Sequence, residues 1–428
     1  MSRISIFVPS SKSYTQRALI LSALTDGATI IKNPLDCDDS FHLRNCLRRL
    51  GAEVDDVNPN QWLIGQIPLA GSENNPSSKT IDLWCENGGT VLRFLAPLVM
   101  LIDQEIILDG NDRLKQRPLH SIIQAMDSIG IVVSFPGKEN CLPLKLHRKK
   151  FSDDSRFFST PIELDPRLTS QLLSGFLMVC PLLSNTSILR LTNKPVSKPY
   201  VQMTIEMMQL FGYDKIHILD DLTISVNPGT YSRETISIEK DWSSAATILT
   251  AQWLTDCLIH IDGLNNKSIQ GDRQITQFLQ TLKNASKKEC NHFDITDCPD
   301  IIGPLTIAAL FANNMKTIIF GLEHTKIKEC NRPETLCREL TKIGATISEK
   351  GNSLIIEPLT NNQNIKKPKH IPLPSNSPLL LDPEEDHRMA MAFGLLSLKM
   401  KKIEIKDKGC VSKSFPAFWE ELDKFNRY

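Results

Sequence analysis

The sequence predicts a mixed α/β or α+β fold in which one unit of helices and strands is used about six times. Helices alternate with strands along the chain, which favours these fold classes. In a recurring pattern, an amphipathic helix ends at a glycine that leads directly into a short strand. Clear copies contain Gly51, Gly130, Gly212 and Gly344, and a glycine just beyond a helix ends it.

Two less regular copies complete the count of six. A degenerate copy lies near Leu282–Ala285, and the final helix around Trp419–Phe425 is a truncated one. The 79 residues from Gly51 to Gly130 and the 82 from there to Gly212 are too many for a solenoid repeat. A chain of 428 residues is long enough for two to three domains. We therefore expect two domains of three units each.

The composition argues against several classes of protein. Lysine plus arginine and aspartate plus glutamate both number 49, so the net charge is zero. Nucleic-acid and membrane-surface proteins usually carry a basic surplus, so any cationic site here must be a local concentration of lysine and arginine side chains.

The eleven cysteines form no Cys-x-x-Cys pair and have no histidine at zinc spacing, which favours reduced thiols in the cytoplasm. The amino-terminal stretch lacks the apolar region of a signal peptide, and no run approaches roughly eighteen apolar residues, so we expect a soluble protein.

The first candidate site follows the amino-terminal strand Ile4–Val8. A Pro/Ser turn leads into a helix that contains Ala18–Leu24, and the serine hydroxyls and free N–H groups at such a helix start form an anion site. Lys12 adds a positive charge, and Ser13 and Arg17, four residues apart, share one helix face. A Walker loop is excluded because its Gly-x-x-x-x-Gly-Lys is missing. Taken alone, the stretch is also compatible with a solvated helix cap.

Further polar and cationic clusters precede other helices. In chain order they are Glu86–Arg93, Asp112–Pro118, Thr169–Gln171, Ser197–Tyr200, Glu239–Ala245, Asp297–Asp300, Lys326–Arg332, Asp386–Arg388 and Gly409–Pro416. Each cluster alone is compatible with an ordinary turn or helix cap. Because nearly all of them lie at strand-to-helix turns between apolar segments, together they indicate a site for small anionic molecules.

In this order the motifs resemble those of the 3-phosphoshikimate 1-carboxyvinyltransferase (EPSP synthase) family, from Pro9 to Pro416. The first motif is similar to the family's Pro-Gly-Ser-Lys-Ser-x-x-x-Arg, and Asn87–Arg93 to its Asn-Ala/Ser-Gly-Thr-x-x-Arg. The other matching segments are Lys115–Pro118, Thr169–Gln171, Ser197–Tyr200, Asp241–Ser244, Gln270–Asp272, Pro299–Asp300, Lys328–Arg332, Asp386–Ala390 and Cys410–Pro416.

The resemblance implies a two-domain inside-out α/β barrel with three βαβαββ-like units in each domain and the active site in the cleft between the domains. We expect one domain to comprise residues 1–11 plus 238–428 and to carry the catalytic carboxylates and the phosphoenolpyruvate side. Residues 12–237 would form the second domain, on the shikimate 3-phosphate side.

The family reaction transfers the enolpyruvyl (1-carboxyvinyl) group of phosphoenolpyruvate to the 5-hydroxyl of shikimate 3-phosphate and releases phosphate. It belongs to the shikimate pathway, which leads to chorismate and the aromatic amino acids. The resemblance implies no metal or redox cofactor. The expected partners are these two small anions, without nucleic acid or membrane, and we expect a cytoplasmic monomer.

The resemblance also assigns roles to residues. Asp300 matches the family's base and Glu329 its acid, with Lys413 nearby. The phosphoenolpyruvate set is Lys12, Gly89, Arg117, Gln171, Arg332, Arg388 and Lys413. The shikimate 3-phosphate set is Lys12, Ser13, Arg17, Thr169, Ser170, Gln171, Ser197, Tyr200, Asp300 and Lys328. Other residues expected to line the site are Asn87, Thr90, Arg93, His324, Asp386 and His387.

Two positions bear on specificity. His324 stands where many family members have asparagine. Gly89 matches the family position where alanine accompanies insensitivity to glyphosate, a mimic of phosphoenolpyruvate. We therefore expect glyphosate to inhibit this chain.

Two alternatives remain open. The first is UDP-N-acetylglucosamine 1-carboxyvinyltransferase, a sister enzyme with a mobile loop that carries cysteine or aspartate. The corresponding segment here, Asp112–Pro118, lacks cysteine. The second is a catalytically inactive homologue that only binds phospholigands, and the presence of both Asp300 and Glu329 argues against it.

Overall fold

A computed structural model of the chain describes residues 3–70, 80–148, 161–284, 290–312, 316–359 and 378–427. By its internal contacts the chain forms two compact units. Unit 1 consists of Met1–Pro9 together with Lys240–Tyr428, and unit 2 is the continuous stretch Ser10–Glu239. Unit 1 is therefore discontinuous in sequence, with its first strand contributed by the amino terminus.

Helices and strands alternate along the chain, as the sequence predicts. In chain order they are β1 (Ile4–Ile6), α1 (Lys12–Ala23), β2 (Ala28–Lys32), α2 (Asp38–Arg49), β3 (Val54–Asn58), β4 (Gln61–Gly65), β5 (Ile81–Trp84), α3 (Gly89–Leu95), β6 (Ile106–Asp109), α4 (Asp112–Lys115), α5 (His120–Ser128), β7 (Ile131–Ser134), β8 (Leu144–Arg148), β9 (Ile162–Leu164), α6 (Gln171–Val179), β10 (Ser187–Leu191), α7 (Lys198–Leu210), β11 (Ile216–Asp220), β12 (Thr223–Val226), β13 (Thr235–Ser237), α8 (Trp242–Thr255), β14 (Ile259–Ile261), α9 (Ile275–Asn284), β15 (Asn291–Asp294), α10 (Ile302–Leu310), β16 (Thr317–Phe320), α11 (Arg332–Thr341), β17 (Ile347–Lys350), β18 (Ser353–Ile356), β19 (Leu379–Leu381), α12 (His387–Leu395), β20 (Ile403–Ile405) and α13 (Phe418–Asn426). One-turn 3₁₀ helices at Gly271–Gln274 and Pro299–Ile301 lead into α9 and α10.

The described residues of unit 2 form three four-stranded sheets with a common topology. Their strand orders are β13-β2-β4-β3, β5-β6-β8-β7 and β9-β10-β12-β11. In each sheet the first two strands are parallel, and the other neighbours are antiparallel. A parallel pair needs a crossover connection, which α3 and α6 supply in the second and third sheets. Each sheet therefore has the strand order and directions of one βαβαββ-like unit.

Unit 1 repeats this arrangement in a reduced form. The sheet β15-β16-β18-β17 has the same order and directions, and two further parallel pairs join β1 to β14 and β19 to β20. The described part of the chain thus contains three parallel pairs in each unit, in agreement with the sixfold count. Of the degenerate copy, Leu282 lies in α9, whereas Ala285 is outside the described residues. The helix predicted around Trp419–Phe425, which is the truncated copy, is α13.

The glycine helix stops predicted from the sequence are confirmed. Gly51 follows α2, and its N–H donates to Arg48 O at 3.0 Å. The N–H of Ala52 donates to Leu47 O at 3.0 Å, which completes the Schellman pair of bonds. The same left-handed backbone recurs after α5, α7 and α11, and the φ values are 96° at Gly51, 75° at Gly130, 82° at Gly212 and 84° at Gly344.

Three helices, α1, α10 and α12, are buried on nearly all sides. Ten consecutive residues of α1, from Tyr14 to Ala23, are buried, and so are all nine residues of α10 and of α12. A helix that is apolar around its whole circumference belongs in a core, which explains the unbroken apolar runs in these segments. No helix formed by the described residues is both long enough and apolar enough to cross a membrane.

Replacement of Gly344 by alanine tests the helix stop. The φ of 84° is strained for any residue with a Cβ, although no neighbouring atom lies within 4 Å of the position where that Cβ would be. The left-handed conformation costs about 1–2 kcal/mol for an alanine. We therefore expect Gly344→Ala to lower the free energy of unfolding by that amount in urea titrations.

The matched control is Gly137→Ala, at a glycine outside the left-handed region. The nearest atom to its added Cβ, Cδ of Pro143, lies 3.5 Å away, an ordinary contact. We expect this variant to stay within about 0.5 kcal/mol of the wild type. Equal stability of the two variants would contradict the explanation of the helix stop.

Candidate active site

The polar motifs lie at helix starts, as the sequence predicts. The side chain of Ser11 accepts a hydrogen bond from Tyr14 N at the start of α1, and Asp241 accepts one from Ser244 N at the start of α8. Asp386 caps α12. The helices α3, α6 and α11 begin at Gly89, Gln171 and Arg332. A helix N-terminus carries a partial positive charge, so these positions suit anionic ligands.

In unit 1, one guanidinium lies among three carboxylates. Arg332 Nε donates to Asp386 Oδ2 at 2.8 Å, and Nη1 donates to Asp300 Oδ1 at 2.7 Å. Its Nη2 donates to Glu329 Oε2 at 3.2 Å. Arg332 is only 1% exposed and Asp386 is fully buried, so these bonds lie in a low-dielectric environment where each is stronger than in water. The structure therefore brings both candidate catalytic carboxylates onto a single cation.

Two more predicted cations contact the same carboxylates. Arg388 Nη2 lies 3.6 Å from Asp300 Oδ2, and its Nη1 lies 3.9 Å from Asp241 Oδ2. Lys413 Nζ lies 3.2 Å from Glu329 Oε1. Asp300 thus lies between two arginines, whereas Glu329 lies between an arginine and a lysine.

The cations determine the protonation state of Asp300. Burial by itself would raise the pKa of this carboxyl, but Arg332, Arg388 and Lys328 together hold the pKa well below its usual value. Asp300 is therefore ionised at neutral pH and is able to accept a proton.

Two histidines complete the cluster. Burial, and then the charge of Lys328, lower the pKa of His324 to about 3, so its imidazole is neutral at physiological pH. His387 is the first residue of α12, and its Nδ1 lies 3.9 Å from Asp386 Oδ1. A neutral imidazole at His324 is able to donate or accept a hydrogen bond without adding charge.

In unit 2, Arg17 joins three helices. Its Nε donates to Thr204 Oγ1 at 2.8 Å, and Nη2 donates to Tyr200 O at 2.8 Å and to Ser174 Oγ at 3.3 Å. Its Nη1 donates to Ser13 O at 3.0 Å. Arg17 is 2% exposed, and burial lowers its pKa to about 10, so it keeps its charge at neutral pH. These contacts hold the starts of α1, α6 and α7 together and favour a positioning role for Arg17.

Two arginines crowd the start of α3. Arg93 Nη1 donates to Gly89 O at 3.0 Å, and Nη2 donates to Pro118 O at 3.3 Å. Burial, and then the charge of Arg117, lower the pKa of Arg93 to about 10. A Cβ added at Gly89 would overlap with Nη1 of Arg117. Glycine is therefore required here for the guanidinium to approach the backbone this closely.

Hydroxyl and amide groups connect the starts of α3 and α6. Gln171 Nε2 donates to Thr90 Oγ1 at 2.8 Å, and the N–H of Gln171 donates to Thr169 Oγ1 at 3.2 Å. Ser170, just before α6, is buried. Lys12, at the start of α1, places its Nζ 3.2 Å from Asp39 Oδ2 in α2.

Backbone strain marks several of the motifs. Ser197 has φ 56° and ψ 44°, a left-handed conformation that is uncommon for serine. Glu86 has φ 51° just before Asn87, and Glu385 has φ 59° just before Asp386. Such strained residues cluster at functional sites because the surrounding structure must hold them. This signal is visible only in the three-dimensional structure.

The predicted residues fall into two sets, one in each unit. The set in unit 1 is Asp300, His324, Lys328, Glu329, Arg332, Asp386, His387, Arg388 and Lys413. The set in unit 2 is Lys12, Ser13, Arg17, Asn87, Gly89, Thr90, Arg93, Arg117, Thr169, Ser170, Gln171, Ser197 and Tyr200. Within the described residues, no group of three or more His, Cys, Asp or Glu side chains is placed to hold a metal ion.

Comparisons with known proteins identify the family. A family model described as EPSP synthase (3-phosphoshikimate 1-carboxyvinyltransferase) matches residues 3–422. The chain is 30% identical over 433 residues to the 3-phosphoshikimate 1-carboxyvinyltransferase of Methanospirillum hungatei, with 97% of this chain and 94% of that protein covered. The chain belongs to the EPSP synthase family. A second relative of the same name, from Aliivibrio fischeri strain ES114, is 31% identical over 436 residues, with 98% and 96% covered.

The fold agrees with this membership. A solved EPSP synthase from Acinetobacter baumannii matches with a TM-score of 0.72 at 19% identity, over 99% of this chain and 95% of that one. The predictions of EPSP synthase family membership and of a two-domain fold of mixed helices and strands are confirmed.

Sequence analysis of this EPSP synthase family member assigned no site role to several residues of the two clusters. Asp241 contacts Arg388, and Thr204 and Ser174 accept hydrogen bonds from Arg17. Asp241 lies in a segment that matches a family motif, and this match could have indicated that the residue belongs to the site. Nothing local distinguishes Thr204 or Ser174, because each lies within an otherwise ordinary helix.

Loss of Asp386 should be costly for stability. The carboxylate caps α12 through Arg388 N at 2.8 Å and also accepts from Arg332 Nε. Its removal takes away the helix cap and leaves the buried Nε of Arg332 without its acceptor, which together cost about 2–5 kcal/mol. We expect Asp386→Ala to lower the free energy of unfolding in urea by about that much.

An exposed ion pair provides the control. Asp423 accepts from Arg427 at 3.0 Å on the surface of α13. We expect Asp423→Ala to change the unfolding free energy by less than about 1 kcal/mol. A similar small loss in Asp386→Ala would show that the buried cluster does not depend on this carboxylate.

Proposed function

We propose that the chain transfers the enolpyruvyl group of phosphoenolpyruvate to the 5-hydroxyl of shikimate 3-phosphate, releasing phosphate, in the shikimate pathway. The observation that carries the proposal is the pairing of Asp300 and Glu329 on one buried arginine, Arg332, in a member of the EPSP synthase family. Curated relatives that match nearly the whole chain carry the name of this activity.

The charges of the site suit two anionic substrates. Phosphoenolpyruvate and shikimate 3-phosphate each carry a phosphate and a carboxylate, so they repel each other. Arginine binds such groups with two parallel hydrogen bonds. We assign phosphoenolpyruvate to Lys12, Gly89, Arg117, Gln171, Arg332, Arg388 and Lys413. The net charge of the whole chain is zero, so the attraction comes from these local cations.

Substrate binding would make Asp300 a stronger base. A phosphate or carboxylate that binds Arg332 and Arg388 competes with Asp300 for the same N–H groups. Asp300 would then lose part of the interaction that depresses its pKa, and the pKa would rise toward its usual value. In this step Asp300 takes the proton of the 5-hydroxyl while that oxygen forms a bond to C2 of phosphoenolpyruvate.

Glu329 would supply the second proton. Anionic groups of phosphoenolpyruvate that bind Arg332 and Lys413 would replace the ion pairs of Glu329 and favour its protonated carboxyl. This carboxyl donates its proton to the methylene carbon of phosphoenolpyruvate, which becomes a methyl group in a tetrahedral intermediate. In the elimination step the bond from C2 to the phosphate oxygen breaks, and the electron pair leaves with phosphate. The methyl carbon then returns a proton to a carboxylate, which restores the vinyl group.

Neutral donors in unit 2 suit the hydroxyls of shikimate 3-phosphate. We assign this substrate to Lys12, Ser13, Arg17, Thr169, Ser170, Gln171, Ser197, Tyr200, Asp300 and Lys328. Arg17 would act mainly by positioning Ser13 and Tyr200, since its N–H groups donate to protein oxygens.

We also propose that the chain acts in the cytoplasm as a monomer. All eleven cysteines lie among the described residues, and none forms a disulfide. Cysteines that stay reduced are typical of a reducing compartment.

The decisive experiment is a phosphate-release assay with phosphoenolpyruvate and each acceptor. We expect release with shikimate 3-phosphate and none with UDP-N-acetylglucosamine or without acceptor. Release only with UDP-N-acetylglucosamine would favour the sister enzyme. Binding of phosphoenolpyruvate without any release would favour an inactive phospholigand-binding homologue.

Asp300→Asn should strongly reduce turnover. The substitution keeps the shape of the side chain but removes the base, and general base catalysis contributes about 10²–10⁴-fold. We expect kcat for phosphate release to fall by that factor. Asp262→Asn, at an exposed carboxylate in the same unit, should leave kcat unchanged. Near-normal turnover in Asp300→Asn would rule out its role as the base.

Glyphosate should inhibit the chain, and Gly89→Ala should weaken the inhibition. The added Cβ would displace the guanidinium of Arg117, and a lost charge-assisted hydrogen bond costs about tenfold or more in affinity. We expect both the inhibition constant for glyphosate and the KM for phosphoenolpyruvate to rise. Gly137→Ala is the control and should change neither. Inhibition by glyphosate that is equal in Gly89→Ala and wild type would contradict the assignment of Arg117.

A further inference from the structure

Unit 1 contains a buried carboxylate that the proposed reaction does not use. Asp272 lies in the one-turn helix Gly271–Gln274 and is 2% exposed. Ser243 Oγ donates a hydrogen bond to its Oδ2. The other oxygen, Oδ1, is buried and accepts no hydrogen bond from the residues that the structure describes. An ionised carboxylate with an unsatisfied buried oxygen is costly, whereas a protonated one is much less so.

The elements packed against Asp272 bring mostly negative charge. The start of α8 contributes Asp241, the turn before α10 contributes Asp300, and α12 contributes the cation Arg388. Cys298 also faces it, but burial raises the pKa of that thiol, so the thiol stays neutral. Of these groups, Arg388 is the cation, and it already lies 3.6 Å from Asp300 and 3.9 Å from Asp241.

These surroundings push the pKa values of two neighbouring carboxyls apart. Burial, and then the charge of Asp300, raise the pKa of Asp272 to about 7, whereas the cations hold the pKa of Asp300 well below its usual value. A pair of this kind divides acid and base functions between its members. Ionisation of Asp272 would place a third carboxylate around Arg388.

We propose that Asp272 is a positioning residue that holds a proton while Arg388 binds an anionic substrate, and that loss of this proton weakens the binding. The proposal depends on the proposed function only for the identity of the anion, phosphoenolpyruvate. Asp272 acts through Arg388 and Asp300 rather than by touching the substrate. Binding and protonation are linked, so an anion on Arg388 also makes the ionisation of Asp272 less favourable.

The first test compares the pH dependence of KM in Asp272→Asn and wild type. Asparagine has the same shape, keeps an oxygen to accept from Ser243 and cannot ionise. The ratio of wild-type to variant KM for phosphoenolpyruvate cancels the substrate's own titration. We expect this ratio to rise about fivefold from about pH 6 to about pH 8. Asp262→Asn should give a ratio that is constant with pH, and a constant ratio for Asp272→Asn would overturn the proposal.

The second test needs no turnover. An acid whose pKa is raised by folding stabilises the protein below its unfolded pKa, and the stabilisation is lost as pH rises to about 7. Relative to Asp272→Asn, wild type should therefore become less stable as pH rises from about 4 to 7. We expect the ratio of the two unfolding equilibrium constants in urea to change by up to about tenfold per pH unit in this interval.

The two tests separate the proposals. If the stability depends on pH in this way but no phosphate is released, the proposed function is wrong, and the protonation of Asp272 is still supported. A stability ratio that is constant with pH refutes the proton-holding role of Asp272, even if the enzyme is active.

Discussion

The hydrogen bonding of Arg332 is the interaction on which unit 1 depends most. Burial alone would lower the pKa of this guanidinium, but the carboxylates of Asp386, Asp300 and Glu329 raise it well above the usual value. A buried arginine is tolerated only with such partners, because an unpaired buried charge costs several kcal/mol. The same bonds hold both candidate catalytic carboxylates in place, so the stability of the core and the geometry for proton transfer have one physical origin.

Arg17, one of the buried arginines of unit 2, has neutral hydrogen-bond acceptors instead of carboxylates. Arg17 donates to the backbone oxygens of Ser13 and Tyr200 and to hydroxyls such as that of Thr204, and burial lowers its pKa. Neutral acceptors satisfy the N–H groups without cancelling the charge. The positive potential at the starts of α1, α6 and α7 is therefore preserved, which suits a phosphorylated ligand. In unit 1 the carboxylates offset the charge and also provide acids and bases.

The residues around both arginines, Arg332 and Arg17, are positioned by the same repeated architecture. In the second and third sheets of unit 2 a helix, α3 or α6, connects the two strands of the parallel pair, and the N-terminus of that helix lies at a polar motif. Because the buried helices are held on all sides, their first turns are rigid, which keeps the site side chains within small tolerances. Strain at Ser197 and next to Asp386 is held by the same packing.

The sequence by itself determined the features that depend on local rules. Alternating helices and strands, the glycine stops at Gly51 and Gly344, and polar motifs at helix starts all follow from residues within a few positions of one another. The tertiary structure decided which charges meet. Asp386 reaches Arg332 across 54 residues of chain, and the burial of Asp272 beside Asp300 depends on helices distant in sequence. Local patterns do not specify such pairings, because they arise only when separate elements pack against one another.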